Sequence, residues 1–242
     1  MIINKSLFVL AKGCNKTRPA FSAMIYCFLL IVSLMLTSCN SHTVKPDLFS
    51  NDEKIEKVLV LRFKNFTEFC GNENNIRCPL CGNIFLTGEV AEGSDNILTN
   101  QLYSVLEKNT DFKIIHPDKA EFLADDFRAC FKDATAEINK IAEIGQSVGA
   151  DAVFLGHIYR FKERVGTSYG VKSPASVAFD LHLISVSERR IIWSGHLDET
   201  QQPLFDNLFE IGNFIKRGGK WVVAEDLAKP GLEDMLHVFY TK

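Results

Sequence analysis

The chain has 242 residues, with 27 basic and 30 acidic side chains and a formal net charge of −3. Residues 1–38 hold four of the cations and none of the acids, which leaves 23 basic against 30 acidic groups in the rest. That balance excludes nucleic acid and anionic headgroups as charge-driven partners.

Lys5, Lys12, Lys16 and Arg18 precede an apolar run from Ala20 to Leu36 that only Ser22 and Ser33 interrupt. A basic n-region, an apolar h-region and small residues before a cut make a secretory signal. Leu36-Thr37-Ser38-Cys39 closes it and resembles a bacterial lipoprotein signal, with its Leu-x-small-Cys lipobox. The resemblance implies removal of residues 1–38 and acylation of Cys39, palmitate included, at the new amino terminus. The run falls short of the roughly 20 residues that a membrane span prefers, and an uncleaved anchor would not need Cys39. Several acyl chains on one cysteine hold firmly where one binds marginally. Asn40 stands where Asp would favour inner-membrane retention in enteric-type sorting. The expected location is therefore the periplasmic face of the outer membrane, with the lipid as the membrane contact.

Residues 39–54 are polar and aperiodic and read as a tether. Residues 55–242 read as a single α/β domain with a cysteine-rich insertion at 68–93 and a helical tail at 203–242. Lys57–Phe63 is the first strand, an apolar run suited to burial on both faces. Ile84–Thr87 is a short strand candidate. Ser94 is placed to cap a helix whose stripe is Leu98, Leu102, Val105 and Leu106, ending near Asn109. Phe112–Ile115 is a short strand, and Pro117 opens a helix to about Arg128. Ile138, Ile141, Ile144 and Val148 mark a further helix from about Thr135, stopped by Gly149. Three strands follow at about Ala152–Val165, Ser176–Val186 and Ile191–Leu197. In the second, Val177, Phe179, Leu181 and Leu183 alternate with Ala178, Asp180, His182 and Ile184. One face is thus apolar and the other mixed, which predicts a partly wet sheet face. A helix over about Pro203–Arg217 and a last helical stretch, Val223–Tyr240, complete the chain. Pro230 predicts a kink or break in that stretch, because an interior proline costs about 3 kcal/mol. The order predicts a mixed sheet ending in an antiparallel meander, packed by helices.

Removal of the leader takes Cys14 and Cys27 with it, and lipid occupies Cys39. Cys70, Cys78, Cys81 and Cys130 remain, an even number in a compartment that oxidises thiols. Cys78-Pro79-Leu80-Cys81-Gly82 is the sharpest local motif. A disulfide from Cys70 to Cys78 or Cys81 would staple a loop without its own core. A redox role would need the motif to open a helix, and strand-like residues follow it instead. The motif also resembles a zinc knuckle, in which case Cys70 and either Cys130 or His116 would complete four ligands. Free thiols are the remaining alternative, and zinc is the one cofactor this segment suggests. His157, His182 and His196 fall on three strands expected to be neighbours. A three-residue turn at Glu188–Arg190 would set His182 opposite His196, near Asp180 and Asp198; a two-residue turn would put them on opposite faces. They are hydrogen-bonded face residues or a metal or acid–base site. Phe205, Phe209, Phe214 and Trp221 read as core packing of the tail, any exposed share of them being a partner-binding patch.

Gly149-Ala150-Asp151-Ala152-Val153-Phe154-Leu155-Gly156-His157-Ile158 resembles a strand shared by several periplasmic proteins. These are the TolB amino-terminal domain, the curli-secretion lipoproteins and the lipoprotein activators of penicillin-binding proteins. Phe179–Ile184 and Arg190–Gly195 resemble the hairpin that follows, and Val58–Thr67 resembles their first strand, with Arg62 where proline is usual. The resemblance implies a TolB-N-terminal-like sandwich in a non-enzymatic envelope protein that binds a protein partner or assembles. No G-x-S-x-G elbow, Walker loop, HExxH or dinucleotide fingerprint occurs. Nor is there a long amphipathic hairpin pair of the kind a secretion pore needs. A zinc or redox protein and an oligomeric secretion component are the competing expectations.

Overall fold

Val58, Leu59 and Val60 of the first strand, β1 (Lys57–Val60), are wholly buried, as an apolar run inside a parallel pairing requires. In the computed structural model, which describes residues 55–70, 74–116, 133–168, 170–201 and 220–241, the run ends earlier than its apolar pattern predicts. The Phe63 amide leaves the ladder and donates to Thr99 Oγ1 at 3.0 Å. The chain then rejoins the sheet as β2 (Lys64–Asn65) and turns into α1 (Phe66–Cys70).

β1 pairs in parallel with β5 (Lys113–Ile115) and with β6 (Ala152–Lys162). β6 pairs antiparallel with β9 (Ser176–Ser185), and β9 with β10 (Arg190–Thr200). The sheet order is β10-β9-β6-β1-β5, with β2 alongside β6. This is the mixed sheet with an antiparallel meander that the order of apolar runs predicts.

One face carries α2 (Ser94–Asn109) and α4 (Ala224–Leu236). Leu98, Leu102 and Leu106 of α2 and Leu227, Leu232 and Leu236 of α4 close over Phe154, Phe179 and Leu181. The cap of α2 is Gly93, and Ser94 is already the first helical residue. Pro230 lies inside α4 without ending it, and a 3-10 turn (His237–Phe239) follows. The helix survives because its apolar side is fully buried; each leucine is worth about 1.5–3 kcal/mol, so three outweigh the proline.

The other face is not wet. All ten residues of β9 are buried. Half of that face lies under α3 (Ala134–Ser147), whose Ile141 and Ile144 pack on Leu59, Val153 and Ile184. Asp133 caps α3 by accepting from the Thr135 amide at 3.0 Å. The rest lies under a hairpin of β3 (Asn75–Arg77) and β4 (Ile84–Leu86), the cysteine-bearing segment. Phe85 anchors it, stacked on Tyr159 with ring centroids 4.1 Å apart. A short pair, β7 (Val165–Gly166) with β8 (Val171–Ser173), stands apart from the main sheet. The helices expected at Pro117–Arg128 and Pro203–Arg217 lie outside the described residues.

Phe85→Ala is expected to cost about 3–5 kcal/mol, as for other aromatic truncations in a packed core. Urea unfolding should show a lower midpoint for this variant.

Candidate functional site

The helix α3 and the strands β6 and β9 each place an ionisable side chain where the sheet is driest. Glu137 occupies the inner side of α3, with Ile141 and Ile144 four and seven residues on. His157 lies opposite Asp180 in the β6–β9 register, and His182 follows Asp180 by two residues, on the same face. Tyr159, two residues beyond His157, shares this face by alternation, and the bulge between Ile158 and Arg160 then turns Phe161 to the opposite core. Glu137, His157, Asp180 and His182 are all at most 1% exposed.

Asp180 is the hub. Its Oδ1 accepts from His157 Nδ1 at 3.0 Å and lies 3.2 Å from His182 Nε2. Its Oδ2 accepts from the Tyr159 hydroxyl at 2.7 Å and from the Cys81 thiol at 3.9 Å. The far nitrogen of His157 meets Glu137 Oε1 at 3.4 Å, so the imidazole bridges two carboxylates. His182 Nδ1 pairs with Ser194 Oγ at 2.8 Å.

Burial alone would push the Asp180 carboxyl up, but His182 and His157 hold it well below the usual carboxylate range. Burial likewise opposes a charge on either histidine, and Asp180 overrides it. His157 is raised well above its ordinary value and His182 to about 9. Burial, then the Asp180 charge, raise the Tyr159 hydroxyl, which stays a donor. Burial lowers Lys64, opposed by Glu137.

The hairpin lays both cysteines of the knuckle motif on this cluster. Cys78 N–H donates to Asn83 O at 2.8 Å and Gly82 N–H to Cys78 O at 3.0 Å, closing a tight loop. Gly82 takes φ +74°, a left-handed conformation that glycine reaches without steric cost. Arg77 Nη1 holds the loop through Gly82 O at 2.9 Å. Cys78 is buried, with Sγ 3.6 Å from His182 Nε2. Its bond to Cys81, then burial, push the Cys78 thiol up to about 12, and the same bond lowers Cys81. The loop opens a strand, β4, so neither thiol sits in the N-terminal field of a helix as the redox reading requires.

Cys78 and Cys81 are free thiols. With Asp180 and His182 they present four ligand atoms within 4.8 Å of one another. His116 stands elsewhere, stacked on Tyr103 of α2 with ring centroids 4.6 Å apart. The Cys70 side chain and all of Cys130 lie outside the described residues. The β9–β10 connection is neither of the two turns considered from sequence. It takes four residues, Val186 to Arg189, and a bulge between Ile191 and Trp193 resets the register. His182 therefore opposes Ser194, and His196 opposes Asp180. His196 is exposed at the rim, where its Nδ1 meets Asn83 Nδ2 at 3.3 Å. Glu137 and Ser194 were not anticipated. The signal for Glu137 was a carboxylate on the apolar stripe of α3.

Several solved structures show a low similarity to this chain. The PelC dodecamer from Paraburkholderia phytofirmans has 13% identity and a TM-score of 0.44, covering 77% of this chain and 89% of that one. The LpoB C-terminal domain from Escherichia coli has 19% identity and a TM-score of 0.35, covering 71% and 94%. Lipoprotein GNA1162 from Neisseria meningitidis has 15% identity and a TM-score of 0.37, covering 68% and 98%. No curated protein matches. Residues 95–198, from the first turn of α2 almost to the end of β10, match the family model described as peptidoglycan-synthase activator LpoB. The chain thus carries a domain that resembles the lipoprotein activators whose strand and hairpin motifs it shares.

Proposed function

We propose that this protein is a lipid-anchored envelope protein that binds and activates a peptidoglycan synthase without catalysing a reaction itself. The match of residues 95–198 to the activator model carries the reading. The lipobox at Cys39 supports the anchor, and Asn40 supports the outer membrane as its address. Among the described residues no helix is long and apolar enough to cross a membrane. The acidic balance of residues 39–242 suits a protein partner better than a polyanion.

Crosslinking in cells with the full-length protein, followed by identification of the captured envelope proteins, tests the partner. A bifunctional penicillin-binding protein among them, whose glycan polymerisation rises when the purified full-length protein is added, is the expected result. Capture without any change in synthesis would reduce the reading to a scaffold. Cys39→Ala is expected to leave the outer-membrane fraction, either held at the inner membrane by its uncleaved apolar leader or released as soluble protein. A variant that still pelleted with outer membranes would remove acylation as the anchor.

A further inference from the structure

Two independent parts of the chain bring ligand atoms to one point. The hairpin supplies Cys78 and Cys81, and β9 supplies Asp180 and His182, two residues apart on one face. We propose that these four side chains form a structural zinc site that fastens the hairpin to the sheet.

The donor set fits zinc. Two sulfurs, an imidazole nitrogen and a carboxylate oxygen make the borderline-soft tetrahedral shell that zinc takes. The spacing fits as well: tetrahedral ligands around zinc lie roughly 3.3–3.8 Å apart for bonds of 2.0–2.3 Å. Cys78 Sγ and His182 Nε2 are at 3.6 Å, within that range, and Cys81 Sγ and the Asp180 carboxylate at 3.9 Å, just beyond it, so the Cys81 thiolate would draw in slightly on the metal. The loop also has the form of a knuckle around a thiolate. The Leu80 amide points at Cys78 Sγ from 3.3 Å, a donor that a metal-bound sulfur retains. Four ligands from the protein leave no open position, so the site would hold structure and perform no chemistry.

The surrounding groups are already aimed. Ser194 Oγ at 2.8 Å takes the proton on His182 Nδ1 and leaves Nε2, the nitrogen nearer Cys78, for the metal. The Tyr159 hydroxyl and His157 Nδ1 hold the Asp180 carboxylate through Oδ2 and Oδ1, at 2.7 and 3.0 Å. Such outer partners set the orientation of metal ligands and typically contribute 10- to 100-fold in affinity. The ligand set replaces Cys70, Cys130 and His116 with Asp180 and His182. Both β9 ligands lie inside the matched region and both cysteines lie outside it, so the site belongs to this chain's own elaboration of the fold.

Full-length protein extracted in detergent under reducing conditions tests the proposal through its metal content and zinc K-edge absorption. About one zinc per chain with two sulfur and two lighter neighbours is expected. Zinc should be lost in Cys81→Ser and His182→Gln and kept in Cys70→Ser, Cys130→Ser and His116→Gln. Ser194→Ala removes no ligand and should bind zinc 10- to 100-fold more weakly, with unfolding otherwise close to wild type. The proposal is overturned if the protein takes up no stoichiometric zinc when the metal is added. It is equally overturned if zinc content follows Cys70 or Cys130, or if the absorption edge shows three or four sulfurs. None of these results depends on whether the protein activates a synthase.

Discussion

A His157→Leu variant is expected to lose about 3–5 kcal/mol of folding stability, the cost of removing one partner from a buried charged pair. The imidazole donates to Asp180 at 3.0 Å and to Glu137 at 3.4 Å, and neither carboxylate is more than 1% exposed. Leucine fills similar space and offers neither oxygen a proton. Glu137 Oε2 already lacks a hydrogen bond among the described residues, so the loss would strip that carboxylate further. Urea unfolding followed by emission of the buried Trp193 would show a large fall in midpoint with the slope unchanged. The double variant His157→Leu/Glu137→Leu should be more stable than the sum of the two losses. An apolar pair is cheaper in a dry interior than a stranded carboxylate. A loss below 1 kcal/mol for His157→Leu would mean that water reaches the cluster.

Gly156→Val is expected to destabilise by about 3 kcal/mol or more, at or above the upper end of overpacking costs. The position is limited by space. A Cβ there would overlap three atoms of the Phe63 ring. That ring is 2% exposed and stands edge-on to Phe179 at 5.8 Å, so it has no room to withdraw. Phe63→Ala alone should also be costly, because it opens a cavity. Combined, the two substitutions should cost clearly less than their sum, since the new methyls enter the space the ring vacates. Strict additivity of the denaturation energies would show that the clash is relieved elsewhere.

Much of the framework was legible because it is local or periodic. The alternation in Ser176–Ser185, the stripe Leu98, Leu102, Val105, Leu106 and the stop at Gly149 each follow from spacing. Burial of the mixed face was not legible. Asp180 and His182 read as residues of a partly wet face, and the long-range docking of Phe85 and Cys78, beside α3, makes that face interior. The end of β1 was missed for a related reason, since the Phe63 amide is satisfied by Thr99, 36 residues away. Register across β9 and β10 turned on one bulged residue, which no alternation pattern in either strand announces. The Cys78–Cys81 motif was visible, whereas its companions were not. Cysteines and histidines 104 residues apart carry no mutual spacing rule.

The hairpin precedes its docking strand by about that same separation in the chain. Closing so long a loop is slow, and the contacts that reward closure come only once both ends are present. Cys78 precedes His182 by 104 residues and Cys81 precedes Asp180 by 99, so both thiols wait unshielded until β9 is in place. During that interval they are open to oxidants and to other chains, and sealing of the sheet becomes a late event in maturation. Protease sensitivity within residues 74–86 should thus persist in refolding experiments after the α2–α4 side has gained its native protection.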